Sequence, residues 1–334
     1  MAVSADARKS VVFFGKQVPP EPGTDPKKSP SIEYGGTGFL VAHEDDGILF
    51  HYLVTCRHVA KQLDVDFYIR ANTIVGGAED LPIEDAEWEY HPDETVDIAA
   101  TLIGLNGRYF DQLTLPLSKT VKQPALGCGQ RIHIVGLFRM HFGKKRNIPI
   151  VHTGHIAALA DPQEKIPIEN RTTGETILVE SHLVEAQTLE GLSGSPVFVQ
   201  EYISWHADLA DGSGHIFSGN VGAFGPMSLL GVYQGAWDGR PGAILAADRN
   251  VSGDQRIPLG MGMVVPIERV TELIQGNDTL KKHREGYKKA ERAKKAAKMD
   301  SGFSEQPATE ANPNHREDFT SLASAAAQKR KPTE

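Results

Sequence analysis

The sequence predicts an all-β chain: two six-stranded antiparallel β-barrels followed by a C-terminal helix. Three observations carry this expectation. Short β-like runs separated by turn residues begin near residue 34. The runs fall into two clusters of about six, which suits two barrels side by side. Helical periodicity is absent until residue 268.

Residues 1–33 read as an N-terminal extension, because 17–33 are rich in Pro and charge. The first barrel is expected over 34–115. Its runs are TGFLVAHE (37–44), GILFHYLVTCRHV (47–59), FYIRAN (67–72), AEWEY (86–90) and DIAATLIG (97–104). The linker-like stretch 116–129 opens the second unit, 116–270. Its runs are RIHIVGLF (131–138), IPIVHTGHIAAL (148–159), ILVESHLVEA (177–186), SPVFVQ (195–200), SLLGVYQGA (228–236) and GMVVPI (262–267). Helix formers at helical spacing predict a basic helix over 271–299. The polar residues 300–334, poor in aliphatics, read as a disordered tail.

Composition narrows the function classes. The 334 residues are 40% hydrophobic and 23% charged, as in globular proteins. Two cysteines cannot build a disulfide framework or a four-Cys zinc site. The apolar run Val11 to Gly15 is too short for a signal-peptide core, and no transmembrane run exists, so a cytoplasmic location is expected. The net charge of −8 is uneven. Residues 281–298 hold nine Lys and Arg against two Glu, +7; residues 300–334 hold four against six, −2; the rest holds 22 against 35, −13. An acidic body argues against a dedicated nucleic-acid binder, so an anionic partner belongs at 281–298. An acidic protein, nucleic acid or an anionic membrane each suits that charge, as does a solvated helix covering the barrel base. A single aromatic residue there, Tyr287, offers no base-stacking platform.

The sharpest local feature is GLSGSP, Gly191 to Pro196. A serine between glycines exposes its hydroxyl at a tight turn, and the N–H groups of Gly191 and Ser193 are placed to bind a developing oxyanion. A serine hydroxyl needs a base, usually a histidine oriented by a carboxylate. His58 in TCRHVA and Asp97 in VDIAA stand upstream at the ends of β-like runs.

Together these residues resemble the chymotrypsin-like serine peptidases, and more closely their HtrA-type members. The order His…Asp…Ser, the GxSGxP frame around Ser193 and the TxxHV frame around His58 carry the likeness. Gly35 to Phe39 resembles the strand that opens the family's first barrel. Gln130 to Gly136 with Val151 to Ile156 resembles the second barrel's first hairpin, and Leu230 to Val232 with Gly262 to Ile267 its last strands. The spacings, 39 residues from His58 to Asp97 and 96 from Asp97 to Ser193, suit two barrels sharing a cleft. The resemblance spans about 34–270. It implies a serine endopeptidase acting on protein or peptide substrates without a cofactor. His58 is then the base and later acid, Asp97 its orienting group, Ser193 the nucleophile, and Gly191 with Ser193 the oxyanion hole.

There are departures. Leu192 stands where secreted digestive members carry an Asp that pairs with a freed N-terminus, so that activation is not expected. Ser195 occupies a position that is usually Gly; the placement of Gly191 favours Ser193 as nucleophile. The disulfide that braces the histidine in secreted relatives is missing, which fits a reducing compartment. The PDZ domain usual in HtrA-type proteins is missing too. By the family's geometry the specificity pocket is walled by Gln187, Thr188, Gln234, Gly235 and Ala236. Its neutral floor argues against a preference for Lys or Arg. His152 and His155, with His141 nearby, are not expected to share a metal unless a turn intervenes, because strand residues three apart face opposite ways and no Cys or carboxylate completes a set. The competing reading is a peptidase-fold binding or sensor module with latent activity that recruits a partner through the basic helix.

Overall fold

The structure is a computed structural model that describes residues 3–19, 31–119, 126–169, 174–187, 189–210, 216–239 and 257–300. The expected disordered tail, apart from Asp300, and Thr188 lie outside the described residues.

A short helix, α1 (Ala5–Lys9), is capped by the Ser4 hydroxyl, which accepts the Ala7 N–H at 3.1 Å. The first sheet follows: β1 (Val11–Val18), β2 (Ser31–Asp45), β3 (Ile48–Thr55), then helix α2 (Arg57–Leu63), β4 (Phe67–Asn72), β5 (Ala78–Ile83), β6 (Glu89–Tyr90), β7 (Ala99–Leu102) and β8 (Leu115–Pro116). Its order is β5-β4-β1-β2-β3-β7-β6, with β8 parallel on β2. It therefore has eight strands where six were expected. β1 accounts for part of the difference. The extension expected over residues 1–33 contains β1, which lies between β2 and β4. The Pro-rich composition of 17–33 masked a buried run just ahead of it: Val11, Val12, Phe13 and Phe14 are all within 1% of full burial. Each such side chain contributes about 1.5–3 kcal/mol when removed from water.

β2 and β3 form a hairpin closed by Asp46 (φ 53°) and Gly47 (φ 73°). An Asp-Gly pair with both residues at positive φ makes a tight turn whose twist matches the strands.

The second unit is β9 (Arg131–Gly136), β10 (Ile150–Ala158), the small hairpin β11 (Ile166–Glu169) and β12 (Thr176–Val179), β13 (His182–Glu185), β14 (Ser195–Ala210), β15 (Ile216–Gly239) and β16 (Ile257–Pro266). Six of these close into a barrel in the order β10-β13-β16-β15-β14-β9. Alternation explains the near-continuous apolar runs. Ile132, Ile134, Val197 and Val199 face the barrel interior, while Val135 and Phe198 on the same strands pack into the first sheet's core. β14 and β15 also run further than SPVFVQ and SLLGVYQGA predicted. Register continues from Tyr202↔Phe224 to Ala210↔Ile216, where the two strands pair only with each other.

After Pro266 the chain turns into α3 (Ile267–Gly276), then α4 (Asp278–Asp300). The helical region thus starts four residues before the expected 271 and breaks at Asn277. Ile267, Val270, Leu273 and Ile274 bury one stripe of α3 in the first sheet's core. The Asn277 side chain accepts the Leu280 N–H at 3.0 Å and so caps α4. α4 is anchored to the β2–β3 turn. Arg284 meets Asp45 at 3.1 Å and donates to the Tyr52 hydroxyl and the Ile274 carbonyl, both at 2.8 Å. Lys288 reaches Asp45 at 2.7 Å and Asp46 at 3.1 Å. The Tyr287 ring meets Phe50 edge-on at 5.7 Å. Part of the +7 segment is therefore paired within the chain; Lys281, Lys282, Lys289, Arg292 and Lys294 are exposed, although Lys281, Arg292 and Lys294 also lie near Asp278, Asp46 and Glu291, at 3.9, 3.7 and 3.3 Å. Among the described residues no helix is long and apolar enough to cross a membrane.

Candidate active site

Register brings two of the predicted residues together. Thr55 at the end of β3 pairs with Ala99 at the start of β7. His58, three residues after Thr55, and Asp97, two before Ala99, therefore meet beyond the strand ends. The His58 backbone N–H donates to Asp97 Oδ1 at 2.9 Å, and His58 Nδ1 lies 2.7 Å from Asp97 Oδ2. Burial alone would raise the Asp97 carboxyl. The hydrogen bonds and charge of His58, helped by Arg57, outweigh it and hold Asp97 below the usual value. An ionised Asp97 can only accept, so Nδ1 carries the proton and Nε2 is left as the basic nitrogen.

The loop bearing Asp97 is braced from both sides. Arg57 donates to the carbonyls of His91 and Asp93 and lies over the Tyr90 ring, 5.4 Å from its centroid. His91 Nε2 in turn lies 3.3 Å from Glu272 on α3.

Ser193 sits in a turn shaped by Gly191 (φ 96°) and Gly194 (φ 87°). Gly194 N–H donates to the Tyr233 carbonyl at 2.9 Å, and Ser195 N–H closes the turn on the Leu192 carbonyl at 2.9 Å. Among the described residues no acceptor meets the N–H of Gly191 or Ser193. Leu192 is fully buried in the barrel core. Ser195 is also fully buried, its hydroxyl without a partner among the described residues, while Ser193 is half-buried. The turn thus presents Ser193 rather than Ser195.

A carbonyl that sequence reasoning passed over joins the two halves of the site. Tyr233 O accepts both the Gly194 N–H and the Cys56 thiol, the latter at 3.3 Å. Cys56 is two residues from His58, so the Ser193 turn and the His58 segment share one acceptor. The direct link is not made: Ser193 Oγ donates to the Gln234 carbonyl at 3.2 Å instead of to His58. Thr37, noticed in the sequence only as part of the strand GGTGF, is a second unforeseen contact. Its hydroxyl donates to the Gly191 carbonyl at 2.6 Å and its N–H to the Ser193 carbonyl at 3.1 Å.

Of the residues expected to wall a specificity pocket, Gln187 is exposed, and Gln234, Gly235 and Ala236 are half-buried. Gly235 lies beside Ser193: a Cβ there would stand 3.9 Å from Ser193 Oγ. Past the pair Ser195↔Tyr233, β15 is bonded only to β16, which leaves one edge of Gln234 to Ala236 unpaired by any described strand.

Cys56, His58 and Asp97 hold donor atoms within 4.8 Å of one another, the spacing of a metal cluster. The chemistry does not fit a cation. His58 and Asp97 are already hydrogen-bonded, and burial together with the Asp97 charge pushes the Cys56 thiol well above its usual value, away from the thiolate a metal needs.

No family model matches the chain, and no curated protein matches it in sequence. Similar solved structures include the Rv3671c protease in its inactive form, 15% identical over 81% of this chain and 90% of that one, with a TM-score of 0.41. The Ser343Ala mutant of Rv3671c from M. tuberculosis H37Rv is 16% identical over 81% and 88%, TM-score 0.40. HBP is 10% identical over 82% and 93%, TM-score 0.40. The closed six-stranded barrel, the second sheet and the C-terminal helices agree with the all-β fold that the sequence resemblance implies.

Proposed function

We propose that the chain is a serine endopeptidase. The observation that carries this reading is the pair His58–Asp97, with Nε2 left basic, set beside a glycine-framed turn that presents Ser193 and leaves two amides without an acceptor among the described residues. His58 Nε2 takes the Ser193 proton as Oγ attacks a peptide carbonyl. The amides of Gly191 and Ser193 receive the oxyanion. The protonated imidazole, stabilised by Asp97, then passes the proton to the leaving amine. Water, activated by the same nitrogen, releases the acyl group from Ser193. The edge at Gln234 to Ala236 that no described strand pairs accepts the substrate backbone as an added strand, the Gln234 carbonyl exchanging the Ser193 hydroxyl for it. With Gln187 at its neutral floor, the pocket takes uncharged side chains. Wild type should cleave an unstructured protein such as casein, and Ser193→Ala should not; equal cleavage by both would overturn the reading.

A second reading, a peptidase-fold binding module with latent activity, is favoured by one observation: the Ser193 hydroxyl is bonded to Gln234 and not to His58. It predicts no turnover of casein and binding of a partner that is lost when Lys281, Lys282, Lys289 and Arg292 are replaced by Gln.

A further inference from the structure

We propose that Thr37 is a positioning residue that holds the oxyanion-binding turn in shape; this rests on the peptidase reading above. Four hydrogen bonds converge on this one buried residue. Its hydroxyl donates to the Gly191 carbonyl at 2.6 Å and accepts the Leu137 N–H at 2.9 Å. Its N–H donates to the Ser193 carbonyl at 3.1 Å. Its carbonyl accepts the Thr55 hydroxyl at 2.8 Å. Thr37 belongs to β2 of the first sheet, and Leu137 directly follows β9 of the barrel. A single side chain therefore ties sheet, barrel and turn together.

The hydroxyl's direction is fixed. An amide can only donate, so Leu137 occupies a lone pair and the single hydroxyl proton goes to Gly191. The two carbonyls that Thr37 holds belong to the same residues whose amides bind the oxyanion. Gly191 has no Cβ and sits at φ 96°, where a glycine peptide has several orientations open to it. The bond to Thr37 selects one. Leu192, between the two residues, is apolar and fully buried, so no charged side chain anchors the turn from within. Thr37 does not touch the reacting atoms; it acts through the backbone of Gly191 and Ser193.

The test compares Thr37→Val, which keeps the shape and loses the hydroxyl, with Thr37→Ser, which keeps the hydroxyl. Three quantities are measured on full-length protein: kcat and KM on a peptide ester, the affinity of a peptidyl boronic acid that forms a tetrahedral adduct on serine, and Tm. Thr37→Val should lower kcat about 10- to 100-fold with little change in KM, and weaken the boronic acid by a similar factor. Thr37→Ser should keep both near wild type. Thr37→Val matching wild type in kcat and boronate affinity, or Thr37→Ser as impaired as Thr37→Val, overturns the proposal. If Thr37→Val does not fold, Thr37→Ala is judged by the same outcomes. Wild type that neither turns over the ester nor binds the boronic acid contradicts the peptidase reading itself. Active wild type with an unimpaired valine variant contradicts the positioning role alone.

Discussion

Asp97 takes hydrogen bonds on both carboxylate oxygens from one residue, His58: the backbone N–H on Oδ1 at 2.9 Å and the ring Nδ1 on Oδ2 at 2.7 Å. The two contacts fix the position of the backbone and the tautomer of the ring at once. Asp97→Asn keeps the shape but presents an amide N–H to Nδ1, which must then accept, and the proton moves to Nε2. We expect kcat to fall about 10⁴-fold with KM little changed. Steady-state kinetics on a peptide ester check this, and a loss below tenfold would contradict the assigned role.

The Ser193 turn leaves no room at Gly194. A Cβ there would overlap the Thr37 carbonyl oxygen and Thr55 Oγ1, at a φ of 87° that side chains avoid. Gly35, in contrast, has open space around it and ordinary backbone geometry. Gly194→Ala should abolish ester hydrolysis and lower Tm, whereas Gly35→Ala should leave both unchanged. Thermal melts with activity assays compare the pair.

His182 makes stability depend on pH. It is 1% exposed at the start of β13, and its Nδ1 accepts the Ala160 N–H at 3.0 Å. Burial lowers its pKa from 6.5 to about 4. The unfolded chain therefore binds a proton that the folded chain refuses. The contribution is complete above pH 6.5 and is lost as pH falls toward about 4. It amounts to roughly 3 kcal/mol across that window. Urea unfolding at pH 7 and pH 4.5 should show a smaller acid-induced loss for His182→Asn, whose side-chain oxygen can replace Nδ1. An unchanged loss would show that His182 is not the titrating group.

Asp45 holds α4 against the β2–β3 turn through Arg284 and Lys288, both nearly buried. Its carboxyl is held below the usual value, first by the Lys288 hydrogen bond and further by Arg284. Asp45→Asn leaves two cations facing each other with less compensation. The variant should lose helical circular dichroism at a lower temperature than wild type, while retaining the wild-type rate on a small ester. Coincident melting of the two proteins would contradict the anchoring.

The placement of these residues was legible in the sequence to unequal degrees. His58, Asp97 and Ser193 stood out because each lies in a short pattern at a strand end, and strand register then decided which of them met. Thr37 and Tyr233 could not be found that way. They act through a carbonyl, an amide or one hydroxyl, and their partners lie 154 residues away in the case of Thr37 and Gly191. β1 was missed because its apolar run is only five residues long and a Pro-rich stretch follows it. The ribbon beyond Gln200 was missed because its alternation begins only after the SPVFVQ run ends. The basic helix was legible as a helix. The pairing of Arg284 and Lys288 with Asp45 was not, since nothing local links α4 to a turn more than 230 residues earlier.

Labelling by a fluorophosphonate probe, with the adduct mapped by peptide mass spectrometry, addresses the central claim most directly. Wild type and Ser195→Ala should each carry one adduct on Ser193, and Ser193→Ala should carry none. An adduct that survives in Ser193→Ala, or a wild-type protein that takes no label, would contradict the account.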